Sequence, residues 1–466
     1  MTSKKSKLPR LKRDGVLQMK VRQNGVRFGV QLASFSILLW LFLRQNFTTA
    51  NQPLFSWITW LDPWVGLATL FSLKVSWLLV LTLLAVAVAF SWGRLFCGWI
   101  CPVGFLLDIV SRLKKLLRWK DWHPTGKVKT VMEVVRWSVF GMCAGLVLFG
   151  KEIALAFNPL MLWPRELSGI LVGGSWPWTL TVLLGLGLVF FPRIWCRFVC
   201  PTGSLLGLIY RSRGLNRKVT DQCRHCGLCI TKCPIQNIDG TVSFGDDCLN
   251  CGQCTAGCPS KALTEGVRSK NATDPGRRTF LLSSGAGLGA AVLGMILPRS
   301  ISVTKTLSPA LLRPPGSLDE SGLAGTCLRC GQCIQVCPSK VLEPAGFEAG
   351  IGGLGTPRFN PDKGQCMFCQ ACGQVCPTDA IVPVTSQTVR IGTAVVDQER
   401  CVAWKNGTHC LLCVETCTAF AISSDAHNRP VIDPKLCIGC GACEANCTLD
   451  QPAIHVTNQG EVRRKS

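Results

Sequence analysis

The sequence lacks several patterns by which cofactor-binding proteins are recognised. All five histidines (His123, His225, His409, His427 and His455) lie outside the apolar stretches, which excludes a haem held by two histidines within a membrane. A C-x2-C-H motif is absent, so a covalently attached c-type haem is not expected. There is no Gly-rich dinucleotide fingerprint either, so the chain is not expected to bind a nicotinamide cofactor.

Acidic residues are scarce, and the deficit is uneven along the chain. The 466 residues include 50 Lys and Arg but only 27 Asp and Glu, for a net charge of +23. Residues 1–298 hold 35 of the basic and 13 of the acidic residues, so nearly all of the positive excess lies there. Because this excess flanks apolar stretches, the positive-inside rule explains it better than nucleic-acid binding does.

Five apolar stretches approach the roughly 20 residues that a helix needs to cross a bilayer. They lie at about 28–43, 75–93, 134–150, 176–192 and 280–297. A signal peptide is the alternative for the first stretch, but no small-residue cleavage site follows it and Arg44 ends it. The sequence therefore predicts a helical membrane domain of four spans, with a fifth span further along the chain.

The distribution of loop charges predicts the orientation of these spans. Lys and Arg are abundant in residues 1–27, 94–136 and 193–270 and scarce in residues 44–74 and 151–175. The positive-inside rule therefore places the N-terminus and residues 193–270 in the cytoplasm. Five crossings would then put residues 300–466 on the opposite side of the membrane.

Six cysteine quartets occupy the polar parts of the chain. Five have the spacing C-x2-C-x2-C-x3-C, and one stretches its first gap. They are Cys223, Cys226, Cys229, Cys233; Cys248, Cys251, Cys254, Cys258; Cys327, Cys330, Cys333, Cys337; Cys366, Cys369, Cys372, Cys376; the stretched Cys401, Cys410, Cys413, Cys417; and Cys437, Cys440, Cys443, Cys447. This spacing is typical of bacterial [4Fe–4S] ferredoxins. Zinc also binds C-x2-C pairs, but six faithful repeats favour six clusters, and closely spaced cysteines seldom suit disulfides.

In ferredoxins the fourth cysteine of a quartet usually binds the neighbouring cluster. We therefore assign Cys258 to the first quartet's cluster and Cys233 to the second quartet's cluster. The four later quartets could pair first with second and third with fourth, or in a nested order, and the sequence leaves both open.

A second motif occurs twice within the membrane half. Arg94-Leu-Phe-Cys97-Gly-Trp-Ile-Cys101-Pro recurs 99 residues later as Arg193-Ile-Trp-Cys196-Arg-Phe-Val-Cys200-Pro. Pseudo-symmetry between two helical hairpins would bring the four cysteines together as a redox site. They could bind an iron–sulfur centre or zinc, form two dithiols, or only fix the helix exits. Cys143, alone in an apolar stretch, is expected to be a packing residue.

Residues 277–281, Arg-Arg-Thr-Phe-Leu, resemble a twin-arginine export signal, with an ordinary membrane helix as the alternative. Arg313-Pro-Pro-Gly316 indicates a stiff linker. The predicted domains are a basic cytoplasmic tail (1–27), the membrane domain (28–210), a cytoplasmic two-cluster ferredoxin domain (211–270), a signal or anchor span (271–300), a linker (301–320) and a periplasmic four-cluster ferredoxin domain (321–466). The ferredoxin domains are expected to be small α+β folds.

These motifs resemble two known families. Residues 28–260 are similar to NapH, the membrane subunit of a quinol dehydrogenase that serves periplasmic nitrate reductase. Residues 277–455 resemble NapG and its relative MauM, which carry a twin-arginine signal and four ferredoxin motifs. Thr418 and Thr448 depart from the pattern, because Pro usually follows the last cysteine.

The resemblance implies quinol oxidation at the bacterial inner membrane, with Cys97, Cys101, Cys196 and Cys200 on the quinol side and a periplasmic reductase as the partner. The alternative is an assembly factor that reduces a metal or thiols. The sequence does not identify the terminal acceptor or the direction of electron flow.

Overall fold

This computed structural model describes residues 13–45, 54–71, 79–119, 122, 124, 126–149, 158–173, 176–212, 215–238, 244–245, 247–267, 277–296, 311–384 and 390–465, with side-chain surroundings from residue 25 onward. The chain divides into two compact units. The first unit comprises Met1–Ile37, Leu83–Phe140 and Leu183–Gly285, and the second comprises Leu38–Thr82, Gly141–Val182 and Ala286–Ser466. Each of the five boundaries falls inside one of the five predicted spans.

Among the described residues, two helices are long and apolar enough to cross a membrane, Gly25–Leu43 and Gly126–Leu148. The other apolar helical stretches are shorter: Leu79–Trp92, Trp178–Val189 and Arg278–Leu293. A helix rises about 1.5 Å per residue, so the 14 residues of Leu79–Trp92 cover only about 21 Å of a hydrocarbon core of about 30 Å. The prediction of five full-length spans is therefore corrected to two. Residues 75–78, at the start of one predicted span, lie outside the described residues.

In the first unit, each C-x3-C-P motif forms the same helix–turn–helix. Helix Leu95–Trp99 is followed by helix Pro102–Leu116, and helix Ile194–Phe198 is followed by helix Pro201–Ser212. The second cysteine of each motif precedes a proline at the first helical position, where the missing N–H costs nothing and the fixed φ suits the helix. The inner ferredoxin domain contains the antiparallel strands Leu215–Val219 and Leu263–Val267 and the helices Leu228–Lys232 and Gln253–Ala256.

Four helical segments of the described residues and an outer ferredoxin domain lie wholly within the second unit. The helical segments are Leu54–Thr59, Pro63–Phe71, Pro159–Ser168 and the π-helix Gly169–Gly173. Three short antiparallel strand pairs form the outer domain: Leu342–Pro344 with Pro357–Phe359, Thr393–Val396 with Ile454–Thr457, and Ile422–Ser424 with Pro430–Ile432. Between them lie the helices Glu320–Thr326, Gln332–Val336, Gly350–Gly353, Ala371–Gln374, Val402–Lys405, Leu412–Glu415 and Ala442–Ala445 and the 3-10 turns Phe347–Ala349 and Pro361–Lys363. These small α+β elements are of the kind expected for ferredoxin domains.

Half of the predicted linker belongs to the compact outer domain. Residues 311–318 are buried, and Arg313 donates hydrogen bonds from Nε and Nη2 to the Glu320 carboxylate, both at 2.8 Å. Its Nη1 donates to Thr356 Oγ1 at 2.9 Å. The Arg-Pro-Pro-Gly segment is therefore anchored by a buried ion pair, while residues 301–310 lie outside the described residues.

Replacing Arg313 with Met should destabilise the outer domain by about 3 kcal/mol, because Arg313 is 2% exposed and its loss removes hydrogen bonds to the Glu320 carboxylate, the Thr356 hydroxyl and the Pro357 carbonyl. For a domain of this size we expect the midpoint of thermal loss of visible absorbance to fall by roughly 10 °C. The control is Arg400→Met, which breaks an ion pair to Asp397 whose arginine side chain is 51% exposed and should change the midpoint by only ~2 °C. Equal shifts in the two variants would contradict the anchoring role.

Candidate metal centres

The two C-x3-C-P motifs bring their four cysteines to one buried place in the first unit. Cys97, Cys101, Cys196 and Cys200 are all buried. Cys101 Sγ accepts a hydrogen bond from the Gly104 N–H at 3.4 Å, and Cys200 Sγ accepts one from the Gly203 N–H at the same distance. The second cysteine of each motif thus caps the helix that follows it, and the two motifs are equivalent in structure as well as in sequence.

The four thiols are close enough to affect one another's ionisation. Burial raises the pKa of Cys101, and the charges of Cys97 and Cys196 raise it further. Burial likewise raises the pKa of Cys200, with additional contributions from Cys196 and Cys97. Four thiolates would repel one another here, so the site favours either a positively charged centre or protonated thiols.

Two fully buried arginines cross between the motifs. Arg94 of the first motif donates from Nη2 to the Cys196 carbonyl at 2.6 Å, and Arg193 of the second donates from Nη1 to the Cys97 carbonyl at 3.0 Å. Arg193 Nη2 also donates to the Gly104 carbonyl at 3.1 Å. Each arginine therefore fixes the backbone beside a cysteine of the other motif.

Each of these arginines pairs with a carboxylate. The same carboxylate also binds a second arginine, from a helix that precedes the carboxylate in the chain. Arg193 binds Asp108 through Nε and Nη2, both at 3.0 Å, and Arg27 binds Asp108 at 2.5 Å. Burial alone would raise the pKa of Asp108, but Arg193 and Arg27 outweigh it and lower the pKa. The carboxylate therefore stays charged although it is buried.

The partner of Arg94 is Asp247, which immediately precedes Cys248 of the inner ferredoxin domain. Arg94 Nη1 lies 3.1 Å from Asp247 Oδ1, and Arg136 donates two hydrogen bonds of 2.6 Å to the same carboxylate. Burial raises the pKa of Asp247, but Arg136 and Arg94 more than offset it and lower the pKa to about 2. Asp247 therefore links the four-cysteine site to a cysteine quartet.

Hydrophobic packing adds to this link. Cys97 belongs to a buried cluster with Leu249 and Ile235, and Cys233 and Cys251 pack against the same cluster. The inner ferredoxin domain therefore contacts the four-cysteine site directly. The cysteines in contact are Cys251 of the second inner quartet and Cys233, which the first inner quartet contributes to the site of the second.

The inner quartets pair as the spacing predicts, as far as the structure describes them. Cys233, Cys248, Cys251 and Cys254 line one small cavity, so the fourth cysteine of the first quartet joins three of the second. Cys223 and Cys226 lie near Cys229 and affect its ionisation. The assignment of Cys258 to the site of Cys223, Cys226 and Cys229 stays a prediction.

The outer quartets pair first with second and third with fourth. Cys327, Cys330 and Cys333 line a cavity with Cys376, and Cys337 lies beside Cys366, Cys369 and Cys372. Cys401, Cys410 and Cys413 line a cavity with Cys447, and Cys417 lies beside Cys440 and Cys437. Each fourth cysteine therefore crosses to the partner quartet, and the nested order is excluded.

The outer sites follow one another in the spatial order first, second, fourth, third. Cys333 and Cys369 pack against the same small apolar cluster, which connects the first site to the second. The Cys366 N–H donates to the Cys440 carbonyl at 2.7 Å, which connects the second to the fourth. The charge of Cys413 contributes to raising the pKa of Cys443, which connects the fourth to the third. The first site therefore lies at one end of the series and the third at the other.

The end that holds the first outer site contacts the helical part of the second unit. Gln45 Nε2 donates to Gln332 Oε1 at 3.2 Å, and a Cβ at Gly331 would collide with Ser168. Lys363 Nζ donates to the Val172 carbonyl at 3.1 Å. Residues of the two loops that the charge pattern predicts outside the cytoplasm thus contact the outer domain.

Five quartets share one backbone path, and the stretched quartet departs from it. In each of the five, the residue after the second cysteine has a φ between 63° and 81°. These residues are Gly227, Gly252, Gly331, Gln370 and Gly441. In the stretched quartet the corresponding Leu411 has a φ of −124°. Five sites are therefore alike in their loops, and the third outer site differs locally, as its long first gap would suggest.

The donor sets, four thiols each in ferredoxin spacing, fit [4Fe–4S] clusters. Backbone N–H groups also donate to the sulfurs, from Ala421 to Cys417 at 3.2 Å and from Ala453 to Cys447 at 3.4 Å. Such bonds set the potentials of bound clusters.

Sequence reasoning missed the charged residues around the four cysteines. Asp108, Asp247, Arg27 and Arg136 carry no motif of their own. The repeat itself offered one signal. Asp108 in the first copy aligns with Gly207 in the second, so the second copy lacks a carboxylate at this position. Cys143 is buried, consistent with the packing role expected for it.

The crossed pairing predicts which cluster each substitution removes. Cys376→Ser should disturb the site of Cys327, Cys330 and Cys333 and leave that of the second quartet intact, whereas Cys337→Ser should do the reverse. EPR spectra of the two reduced variants, each expected to lose about four irons at most, should therefore lack different signals. Loss of the same signal in both variants would contradict the crossed pairing.

Comparison with known families links the C-x3-C-P motifs and the first two outer quartets to iron–sulfur binding. A family model described as a 4Fe-4S binding domain matches twice, at residues 74–120 and 172–219, and a 4Fe-4S dicluster domain matches residues 326–380. The double match contains the two C-x3-C-P motifs, so the repeat is confirmed. No solved structure matches the chain.

Several known proteins are similar to this chain. The ferredoxin-type protein NapG of Escherichia coli (strain K12) is 35% identical over 201 residues, which cover 39% of this chain and 85% of NapG. The methylamine utilization ferredoxin-type protein MauM of Methylobacillus flagellatus is 34% identical over 210 residues, 41% of this chain and 89% of MauM. MauN of the same organism is 31% identical over 182 residues, 37% of this chain and 60% of MauN. The chain belongs to the family of NapG- and MauM-type iron–sulfur ferredoxin proteins.

Proposed function

We propose that this protein is a membrane-bound quinol dehydrogenase component that passes electrons to a periplasmic oxidoreductase. In this proposal a NapH-type membrane part and a NapG-type outer part are fused in one chain. The observation that supports it most directly is the crossed pairing of cysteine quartets, which is the arrangement of electron-transferring ferredoxins. Six [4Fe–4S] clusters, held by the six groups of four cysteines, would supply one-electron carriers.

A multi-pass topology is part of the proposal. The two helices that are long and apolar enough to span a membrane support more than one passage of the chain through it. Each unit holds one of the ferredoxin domains. Two helices, Gly25–Leu43 and Gly126–Leu148, reach full membrane length. The twin-arginine pair begins helix Arg277–Ile296, and its role in export stays a prediction.

A cavity in the first unit supports a small-molecule electron donor. It has a volume of about 330 Å³, and its lining includes Arg27, Phe28, Gln31, Asp108 and Cys233. Gln31 Nε2 donates to Asp108 Oδ2 and to the Gly98 carbonyl, both at 2.9 Å, so these contacts hold the Gln31 amide in the cavity wall, where its oxygen could accept from a ring hydroxyl. Oxidation of a quinol to a quinone releases two electrons, taken up singly by the protein, and two protons, which reach water through the open cavity. Cys233 places a cluster ligand in the cavity wall.

The acceptor is proposed to bind near the third outer site. This site lies at the end of the series opposite the contact with Gln45 and Ser168. Leu412, between Cys410 and Cys413 of this site, is 38% exposed. An exposed apolar side chain at the end of the series suits contact with a protein partner.

The first test of the proposed function is anaerobic purification in detergent, followed by iron and sulfide analysis and addition of a reduced quinol analogue. We expect about 24 irons per chain, and bleaching of the visible absorbance when the quinol is added. Dithionite serves as the control that every cluster can be reduced. Full loading with reduction by dithionite but none by quinol, at any quinol potential, would rule out quinol as the donor and favour a cytoplasmic donor or the assembly role.

Substitution of Gln31 by Leu tests the cavity. It removes a donor facing Asp108 and should lower the rate of reduction by quinol roughly threefold to tenfold, mainly through a higher KM. The control is Ser34→Ala, almost one turn further along the same helix, where the hydroxyl is exposed and bonds the Ile100 carbonyl at 3.2 Å. Iron content should be unchanged in both. A Gln31→Leu variant with normal KM and normal rate would exclude this cavity as the donor site.

A further inference from the structure

The two halves of the four-cysteine site obtain their carboxylates from different sources. Asp108, in the first copy of the repeat, lies on the helix that follows Cys101 and binds Arg193. The aligned residue of the second copy is Gly207, on the helix that follows Cys200. The second copy therefore has no carboxylate at this position.

Asp247 of the inner ferredoxin domain occupies the space that Gly207 leaves. A Cβ placed on Gly207 would lie 3.3 Å from Asp247 Oδ1 and 3.6 Å from Arg136 Nη2. Asp247 binds Arg94 and Arg136, just as Asp108 binds Arg193 and Arg27. The two carboxylates thus make equivalent pairs, although one comes from the repeat and the other from a separate domain.

Asp247 reproduces the contacts of Asp108 except in one respect. Arg193 Nε donates to Asp108 at 3.0 Å, whereas Arg94 Nε is buried and has no hydrogen-bond partner among the described residues. Asp247 approaches Arg94 from the ferredoxin domain and reaches only Nη1. A carboxylate on residue 207, placed like that of Asp108, would face the unpartnered Nε.

We propose that Asp247 is a positioning residue that completes the second half of the four-cysteine site from the inner ferredoxin domain. Asp247 holds Arg94, and Arg94 holds the backbone at Cys196. Because Cys248 follows Asp247 directly, the same ion pairs fix the second inner quartet beside the four cysteines. Formation of the cysteine site and docking of the ferredoxin domain are therefore coupled. This inference rests on the proposed redox role of the four cysteines, but its test does not require quinol oxidation.

The test measures how fast Cys196 and Cys200 of the purified full-length protein react with a small maleimide, followed by mass spectrometry. Asp247→Asn should speed this labelling about tenfold, because Arg94 loses its ionic partner and the half-site opens more often. Asp221→Asn is the matched control, since it removes an exposed carboxylate of the same ferredoxin domain and should leave the rate unchanged.

A second substitution separates positioning from general destabilisation. Gly207→Asp alone should speed labelling, because the added carboxylate crowds Asp247. Combined with Asp247→Asn, it should slow labelling back toward the wild-type rate by giving Arg94 a carboxylate in the arrangement of the first half. If Asp247→Asn yields no folded protein, recovery of folded protein by the double variant is the same result.

Two outcomes would overturn the proposal. One is a normal labelling rate in Asp247→Asn. The other is a double variant that is no better than Asp247→Asn, by labelling or by yield. A protein that passes this test but is not reduced by quinol would retain the positioning role of Asp247 and lose only the proposed donor.

Discussion

Two buried arginines that cross between repeated motifs are the contacts on which the first unit depends. Arg94 and Arg193 are both fully buried, and a buried guanidinium is tolerated only when charges and carbonyls surround it. Each finds a carboxylate and a backbone carbonyl beside a cysteine of the other motif. Neither motif could keep its arginine buried alone, so the two hairpins are interdependent.

Glycine makes this crossing possible at the second motif as well as at the first. A side chain at Gly203 would collide with the Arg94 guanidinium, and one at Gly104 would lie 2.8 Å from the Cys97 carbonyl and 3.3 Å from Arg193. The Cys-Pro-x-Gly order therefore has a physical reason in each copy. Cysteine caps the helix, proline begins it, and glycine leaves room for the arginine of the other repeat.

The outer domain depends on cysteines that are exchanged between quartets. Its strands are three or four residues long, and many of its core residues are cysteines, including Cys372, Cys437 and Cys443. A domain with so little apolar core gains folding energy from bound metal. Because each fourth cysteine belongs to the partner quartet, two quartets must fold together, which favours two cooperative pairs over four independent sites.

How much the sequence could predict differs between local and long-range features. The quartet spacing predicted the cluster ligands and correctly indicated the ferredoxin class, because ligand spacing along a loop is a local property. The 99-residue repeat likewise predicted that Cys97, Cys101, Cys196 and Cys200 come together, since equivalent hairpins pack in equivalent ways. Apolar composition overestimated the number of full-length helices, because composition does not show where a helix begins and ends.

The sequence by itself determined the chemistry of this protein: cysteines in repeated ferredoxin quartets, a duplicated C-x3-C-P motif and a basic first half. Only the tertiary structure decided which quartets pair, because both orders use identical local spacing and differ only in which loops pack together. It also decided that Asp247 serves Arg94, a residue 153 positions away. Such a partner is selected by the cost of burying an unpaired charge, and that cost arises only once the chain has folded.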